Sequence, residues 1–279
     1  MTTSHLARSH NGRPSSMRRV AVALLLGCSL ALAGCGSTTP TPDAAQDATA
    51  AQGEAEAEDA AQGEAAEEEA VTRPSADEFR GTVSMTSTDY EPTTYAIGEG
   101  EVTGSYQSGL ADAGGEVERF VVDWSAPVED ARELDTTLVY ELGATQESVA
   151  DPDFSTYVNN GYFQTLFLPS GIASGDPTGY LGTIRIYEFS TPDGTSLYPA
   201  SLSLSQFLPD GTVASYGNVS EFSSLEEALA AYDTSTSDFS AYASEGTEGT
   251  WELGEDGSIA VHMTYEDGSS SDYVLTYAE

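Results

Sequence analysis

Residues 259–277, which read IAVHMTYEDGSSSDYVLTY, set the period on which the fold prediction rests. Larger apolar side chains occupy every second position from Ile259 to Tyr265, and small or polar side chains stand between them. This two-residue period is typical of a strand with one buried face. Asp267-Gly268 is a strong hairpin signal, and a second β-prone run follows at 273–277. The sequence therefore predicts an antiparallel hairpin here.

The same turn chemistry recurs through the region 79–279. Asn-Gly or Asp-Gly pairs stand between β-prone runs, at residues 160–161, 193–194, 210–211, 256–257 and 267–268. Pairs of this kind favour the tight turns of antiparallel hairpins. Further strands are predicted at 81–87, 117–124, 136–142, 162–168, 183–190, 200–207 and 212–216. The region is thus predicted to be mainly β, with an antiparallel sheet.

One short helix interrupts this pattern. Ser224-Leu-Glu-Glu227 is a capping box, and Leu225, Leu229 and Tyr232 follow at helical spacing. The predicted helix covers residues 225–232, or about two turns at 3.6 residues per turn. Because its apolar stripe is narrow, we expect it to lie across the sheet or to plug one end, and not to fill the interior.

Three short motifs resemble secreted bacterial lipocalin-like β domains. They are Phe207-Leu-Pro-Asp-Gly-Thr-Val213, Gly249-Thr-Trp251 and Asp256-Gly-Ser-Ile259. The resemblance covers residues 180–279 and implies an up-and-down barrel with an aromatic-lined apolar pocket, open at the end opposite the helix. The order of the motifs departs from that family, whose Gly-x-Trp lies near the start of the barrel. Two architectures therefore stay open, a lipocalin-like barrel or a sandwich, with 79–150 and 151–279 as two halves.

Residues 1–34 are predicted to be a secretory signal peptide. Four arginines and no acid precede a mostly apolar run at 20–32, which is shorter than the roughly 20 residues of a membrane-spanning helix. The run ends in Leu32-Ala33-Gly34-Cys35, which resembles the lipobox of bacterial lipoproteins. In that family the cysteine receives a diacylglyceryl group and becomes the first residue of the mature protein. The resemblance implies lipid attachment at Cys35 and an extracytoplasmic location at the cell membrane.

Residues 35–78 are predicted to be the lipidated cysteine followed by a disordered stalk. From 36 to 78 the chain holds twelve acids and one arginine, and the hexapeptide AAQGEA occurs at both 50–55 and 60–65. Such a segment buries too little apolar surface to offset the entropy lost on ordering. The predicted organisation is therefore a leader, an acidic linker and a β domain at 79–279.

The charge balance excludes several classes of protein. The 279 residues carry 46 acids against nine basic residues, all arginine, and the formal net charge is −37. A chain this acidic does not bind nucleic acid by neutralising phosphates. Its two cysteines, Cys28 and Cys35, are too few for a disulfide framework or a cysteine-based zinc site. The absence of lysine also excludes a Schiff base or a Walker loop.

Candidate residues for acid–base or metal chemistry are few. His262 is the one histidine beyond the leader, and the alternation around it predicts that it faces solvent. No Gly-x-Ser-x-Gly elbow supports a catalytic triad. Asp151-Pro-Asp153 begins like an EF-hand loop, but position six is Thr156 and position twelve is Tyr162. No cofactor is predicted, and a looser calcium site is left as an alternative.

The two tryptophans are candidate ligand-binding residues. Trp251 stands at a predicted strand start and Trp124 at a predicted strand end, before Ser125-Ala-Pro127. Both fit the core, and Trp124 is the better placed for an exposed contact. The functional prediction is a lipid-anchored, non-enzymatic binding or surface-interaction module. The alternatives are a hydrolase that acts through carboxylates and a structural component of the envelope.

Overall fold

The computed structural model describes residues 73–111, 117–149, 158–190, 195–232, 234–236 and 238–279. The predicted leader, the lipobox with Cys35 and nearly all of the predicted linker lie outside these residues. The turn predicted at 193–194 and the acidic loop at 151–157 also lie outside them. None of the helices within the described ranges has the length and apolar content that a membrane span requires.

The described residues form thirteen strands, one α-helix and two 3-10 turns. The strands are β1 (Gly81–Ser87), β2 (Thr93–Ile97), β3 (Glu101–Ala111), β4 (Val117–Leu134), β5 (Thr137–Val149), β6 (Val158–Pro169), β7 (Gly179–Ile186), β8 (Phe189–Ser190), β9 (Ser196–Phe207), β10 (Thr212–Phe222), β11 (Ala243–Leu253), β12 (Ile259–Thr264) and β13 (Ser270–Ala278). The helix α1 spans Leu225–Ala231, and the 3-10 turns span Ile172–Ser174 and Ser240–Tyr242.

Twelve of these strands close into one antiparallel barrel. Each strand from β1 to β6 pairs with the next, β7 pairs with β9, and the order then continues from β9 to β13, which pairs with β1. The short β8 pairs with the start of β9. Of the two architectures left open, the up-and-down barrel is therefore the one formed. Both halves of the region, 79–150 and 151–279, contribute strands to it.

Alternation along the strands separates an interior from an outer face. One cluster of buried side chains draws on strands all around the barrel, and Val83, Val122 and Leu275 belong to it. A second cluster lies on the outer face of β5, β6, β7 and β9 and includes Ile184 and Leu202. β7 is buried on both faces because it contributes to each cluster.

Helix α1 covers the second cluster and plugs neither end of the barrel. Ala228 and Tyr232 are buried against the outer face, and Leu225 packs beside them. The capping box forms as predicted at Ser224, whose hydroxyl accepts a hydrogen bond of 3.1 Å from the Glu227 amide. Of the two placements expected for the helix, it takes the one across the sheet and does not plug an end, because the outer face of β7 and β9 is itself apolar and is covered by the helix.

Two strands run through residues that were predicted to end them. Trp124 does not end a strand, since β4 continues to Leu134. Pro127 is accommodated because the pairing of β4 with β5 shifts register between Ser125 and Val128. Asn160-Gly161 lies inside β6, where its pairing with β5 also shifts. Bulges tolerate proline and glycine that a regular ladder would reject, so the strand end predicted at Trp124 and the turn predicted at Asn160-Gly161 are both wrong.

The predicted Asp-Gly turns within the described residues are confirmed. They join β9 to β10, β11 to β12 and β12 to β13, with positive φ at Gly211, Gly257 and Gly268. In each turn an aspartate oxygen accepts bonds from the backbone amide and the hydroxyl of the residue two positions on, which is Thr212, Ser258 or Ser269. These bonds lower the pKa of each aspartate below its ordinary value.

The segment before β1 closes one end of the barrel, here called the lower end. Ala76 and Phe79 are 2% and 1% exposed and join the interior cluster. Tyr140 donates a 3.1 Å hydrogen bond to the Ala76 carbonyl, and the Ala76 amide donates one of 2.6 Å to Glu133 Oε1. Arg73 pairs with Asp176 at 2.7 Å. The opposite end, where the β1–β2 and β12–β13 turns lie, is the upper end.

Candidate functional site

The lower part of the barrel interior is apolar and fully packed. Leu138, Leu168 and Phe207, which sit beside the lower turns, each have 0% exposure. Tyr140 lies one pleat above Leu138, and its buried hydroxyl is satisfied by the Ala76 carbonyl. Close packing of this kind stabilises the fold and leaves no space for a ligand.

A buried polar layer, made of Tyr106, Glu147, Gln164 and Arg185, lies higher in the barrel. The Arg185 guanidinium carbon stands 4.5 Å from the centre of the Tyr106 ring. The Tyr106 hydroxyl in turn donates a 2.6 Å hydrogen bond to Glu147 Oε1. Glu147 and Arg185 are each 1% exposed, so two opposite charges are buried together around one tyrosine. This arrangement offsets part of the cost of burying each charge.

Several buried polar side chains lack a hydrogen-bond partner among the described residues, and two of them lie in this part of the interior. They are the side-chain amide of Gln164, which is 2% exposed, and the indole nitrogen of Trp124. Trp124 is 3% exposed and meets the Tyr95 ring edge to face at 6.3 Å. The core position of Trp124 is therefore confirmed, and the exposed contact considered for it is wrong.

Trp251 also lies against the interior. It is partly buried near the end of β11 and packs against the interior cluster. Its indole nitrogen donates a 2.9 Å hydrogen bond to the Leu208 carbonyl in the β9–β10 turn. This contact ties two adjacent hairpins together at the lower end.

A pocket of about 260 Å³, here called the upper pocket, opens at the upper end of the barrel. Its walls come from interior-facing positions at the upper ends of β1, β2, β12 and β13 and from the turns between them. The wall residues include Met85, Ser87, Thr93, Tyr265, Ser271 and Tyr273, and the rim carries Asp89, Tyr90, Glu91 and Asp272. The pocket thus combines residues from the first and the last strand of the barrel, because β1 and β13 pair with each other when the sheet closes.

Tyr273 lines the upper pocket, but its hydroxyl is enclosed beside Ser205, which does not line the pocket. The residue is 4% exposed, and its hydroxyl lacks a partner with hydrogen-bond geometry among the described residues, although Ser205 lies beside it. Burial raises the pKa of Tyr273 above its ordinary value of 10.0, and Ser205 opposes this more weakly. The hydroxyl is therefore neutral at physiological pH and can both donate and accept a hydrogen bond.

The rim of the upper pocket is acidic, and two basic side chains, those of Arg119 and His262, contact rim residues. Arg119 stands 4.7 Å from the centre of the Tyr90 ring and donates a 3.2 Å hydrogen bond to the Asp89 carbonyl. His262 Nδ1 lies 2.7 Å from Asp272 Oδ1, and its side chain is 52% exposed. The solvent-facing position predicted for His262 is thus confirmed. Its partner is a rim carboxylate on the neighbouring strand.

An open groove of about 640 Å³ crosses the outer face of β2 to β5. Four exposed polar side chains lie along it, those of Thr103, Asp123, Gln146 and Ser148. The hydroxyls of Thr94 and Ser105 form a hydrogen bond of 3.0 Å with each other. The groove carries hydroxyl and amide groups on the solvent side of a regular sheet. Its lining also includes Gly104, Trp124 and Glu147.

Candidate metal and acid–base sites are sparse in the described part of the chain. No group of three or more His, Cys, Asp or Glu side chains there could hold a metal ion. The loop considered for calcium begins at 151, and residues 151–157 are not described. Glu147 is the one buried carboxylate among the described side chains, and Tyr106 and Arg185 surround it.

The sequence did not point to the upper pocket. Its walls form only when β1 pairs with β13, and the sequence of neither strand indicates that pairing. The available signal was the alternation that places Tyr265 and Tyr273 on the buried face of the final hairpin, because two tyrosine hydroxyls there require polar surroundings.

The chain was compared with protein-family models, with curated proteins and with solved structures, and no match was found. The functional argument therefore rests on the barrel and its upper pocket.

Proposed function

We propose that this protein is a lipid-anchored extracytoplasmic module that binds a small polar ligand in the upper pocket. The observation that carries the proposal is an accessible pocket of about 260 Å³ that is lined by the Tyr265 ring, by serine and threonine hydroxyls and by rim carboxylates. Ligand sites are concave and combine apolar walls with a few placed polar groups, as this one does.

The binding role has stronger support than the two alternatives. A carboxylate-dependent hydrolase would need two acids that face one cleft at a fixed separation. The buried carboxylate of Glu147 is bonded to Tyr106 and stands in a closed layer, while the rim acids Asp89, Glu91 and Asp272 are exposed. No observation favours a purely structural role in the envelope.

The anchor is tested by metabolic labelling with radioactive palmitate. The wild type is expected to incorporate label and to sediment with membranes, and Cys35→Ser is expected to do neither, because stable attachment needs more than one acyl chain. Equal labelling of both proteins would rule out lipid attachment at Cys35.

The pocket is tested by a thermal-shift screen against small polar compounds. A ligand that binds the native state raises the melting temperature with the logarithm of its concentration. The shift should disappear in Ser271→Trp, which fills the upper pocket, and persist in Ser125→Trp, which fills the outer groove. Loss of the shift in Ser125→Trp alone would move the site to the groove and refute the proposal.

A further inference from the structure

We infer that the buried polar layer of the barrel interior is a hydration site, in which ordered water molecules bond to the side-chain amide of Gln164. This layer is a different part of the interior from the upper pocket, so its hydration does not depend on the proposed function. Three features point to water there: a buried amide, a charged network beside it and a row of partly exposed serines on a nearby strand.

The amide of Gln164 is the strongest of these features. Gln164 lies on β6 at the same two-residue period as Leu166 and Leu168 of the interior cluster, so its side chain faces the interior. The residue is 2% exposed, and neither amide atom has a hydrogen-bond partner within the described ranges. An amide side chain accepts and donates hydrogen bonds, and leaving them unmade in a dry interior costs free energy. Buried water removes this cost, since it makes about three hydrogen bonds to groups of this kind.

A charged network lies beside the amide. Arg185 on β7 is the register partner of Gln164, so both side chains leave the same face of neighbouring strands. The Arg185 guanidinium carbon is 4.5 Å from the centre of the Tyr106 ring, and the Tyr106 hydroxyl bonds to Glu147. Hydrogen bonds to ionised groups are about twice as strong as those between neutral groups. Water that bonds to the amide is therefore held more firmly by the adjacent guanidinium.

Trp124 adds a second polar group that lacks a partner beside the same network. It is the register partner of Glu147 on the neighbouring strand, and its ring faces the interior against Tyr95. The residue is 3% exposed, and its indole nitrogen donates to no acceptor in the described part of the chain. Two buried groups on different strands thus need partners that the described side chains do not supply.

The serines of β9 let solvent reach this layer. Ser201 and Ser203 alternate with Leu202 of the outer cluster, so they face the interior, and both are partly exposed. Ser201 is the register partner of Arg185, which in turn pairs with Gln164. Two strand spacings, or about 10 Å, therefore separate the backbone of the partly exposed serine from that of the buried glutamine. This row of three residues contains no apolar side chain that would keep water out.

The hydration site is tested by water oxygen-17 magnetic relaxation dispersion on the full chain, which counts water molecules that stay inside a protein far longer than at its surface. Gln164→Leu keeps a similar size and removes both amide groups. It is expected to lose the signal of at least about one long-lived water. Gln146→Leu, on the exposed outer groove, is the matched control and should lose none. An undiminished signal in folded Gln164→Leu would overturn the inference.

A crystal structure of the wild type at high resolution provides a measurement that needs no variant. It covers the case in which circular dichroism shows that Gln164→Leu does not fold. Water is expected about 2.7–3.2 Å from Gln164 Nε2 or Oε1. A protein side chain in that position, or an amide with no polar neighbour at all, would refute hydration of the layer.

Ser271→Trp separates this site from the upper pocket, which that substitution fills. The long-lived water signal should be unchanged in Ser271→Trp, because the hydrated layer lies elsewhere in the interior. A loss as large as in Gln164→Leu would assign the water to the upper pocket and contradict the inference. The thermal-shift screen decides the proposed function separately, so either proposal can fail while the other stands.

Discussion

The lower and upper halves of the barrel interior are built from the same strands but have opposite chemistry. On β5, Leu138 belongs to the packed lower core, and Glu147 nine residues later belongs to the buried polar layer. On β13, Leu275 is fully buried, and Tyr273 lines the upper pocket. Each strand therefore contributes to stability at one end and to recognition at the other.

The difference shows how the wide interior of a twelve-strand barrel is filled. An eight-strand barrel is filled by its own side chains or holds one small ligand, and each added strand widens the interior. Here the lower half is closed by the segment around Ala76 and Phe79, and the middle is bridged by the long side chains of Arg185 and Glu147. Only the upper end keeps an accessible pocket among the described residues.

The largest effect should come from the lower core. Phe207→Ala is expected to lower the free energy of unfolding by about 3–5 kcal/mol, because it leaves a cavity among side chains with no solvent exposure. Urea denaturation measures the change. The matched substitution Ser203→Ala on the same strand should cost much less, and equal losses at both positions would show that the lower end is no better packed.

Removing one charge of the buried polar layer should have a somewhat smaller effect. Glu147→Gln is expected to destabilise the barrel by about 3 kcal/mol, since it leaves the Arg185 charge buried without its acidic counterpart. Adding Arg185→Met should restore most of this loss. Additive losses in the double variant, again measured with urea, would mean that the two charges do not depend on each other.

Alkaline pH should test both halves through their tyrosines. Burial raises the pKa of Tyr140 in the lower half and of Tyr273 in the upper half above the ordinary value of 10.0. The unfolded chain therefore loses its protons first, and stability should be complete below pH 10 and fall as the pH rises beyond it. Tyr140→Phe and Tyr273→Phe should each make the decline less steep. An unchanged decline in both variants would contradict this.

The smallest effect should come from acid at the Asp-Gly turns. Hydroxyl and amide hydrogen bonds lower the pKa of Asp256 at the lower end and of Asp267 at the upper end below the ordinary 3.8. Their contribution is present at neutral pH and is lost as the pH falls through and below that value. Asp256→Asn and Asp267→Asn should both flatten the acid limb of the melting-temperature profile. A flatter limb in neither variant would refute the assignment.

Much of the barrel could be read from the sequence, and the failures have physical causes. β1 at 81–87, the final hairpin, the Asp-Gly turns and helix α1 follow from local alternation, turn chemistry and capping. β2 and β3 were missed. The strand start predicted at Trp251 is wrong, because β11 runs from Ala243 to Leu253; its sequence ASEGTEGTWEL is rich in glycine and glutamate, which are poor strand formers. Pro127 and Gly161 misled the prediction because bulges absorb them.

The candidate site was less predictable than the fold. Alternation places Tyr273 on a buried face, but the pocket around it depends on contacts between strands at opposite ends of the domain. Local sequence carries no information about such a pairing. The same limit explains why Trp124 was considered for an exposed contact, since β4 only becomes long when β3 and β5 pair with it.

The pairing of β1 with β13 also determines when the barrel can close during folding. Thr82 pairs with Ala278 and Ser87 with Tyr273, so the barrel cannot close until the residues of β13 have left the ribosome. Until then β1 has one unpaired edge, and open edges can pair with other chains. A chaperone that shields this edge would act on the nascent barrel and have no role once β1 and β13 have paired.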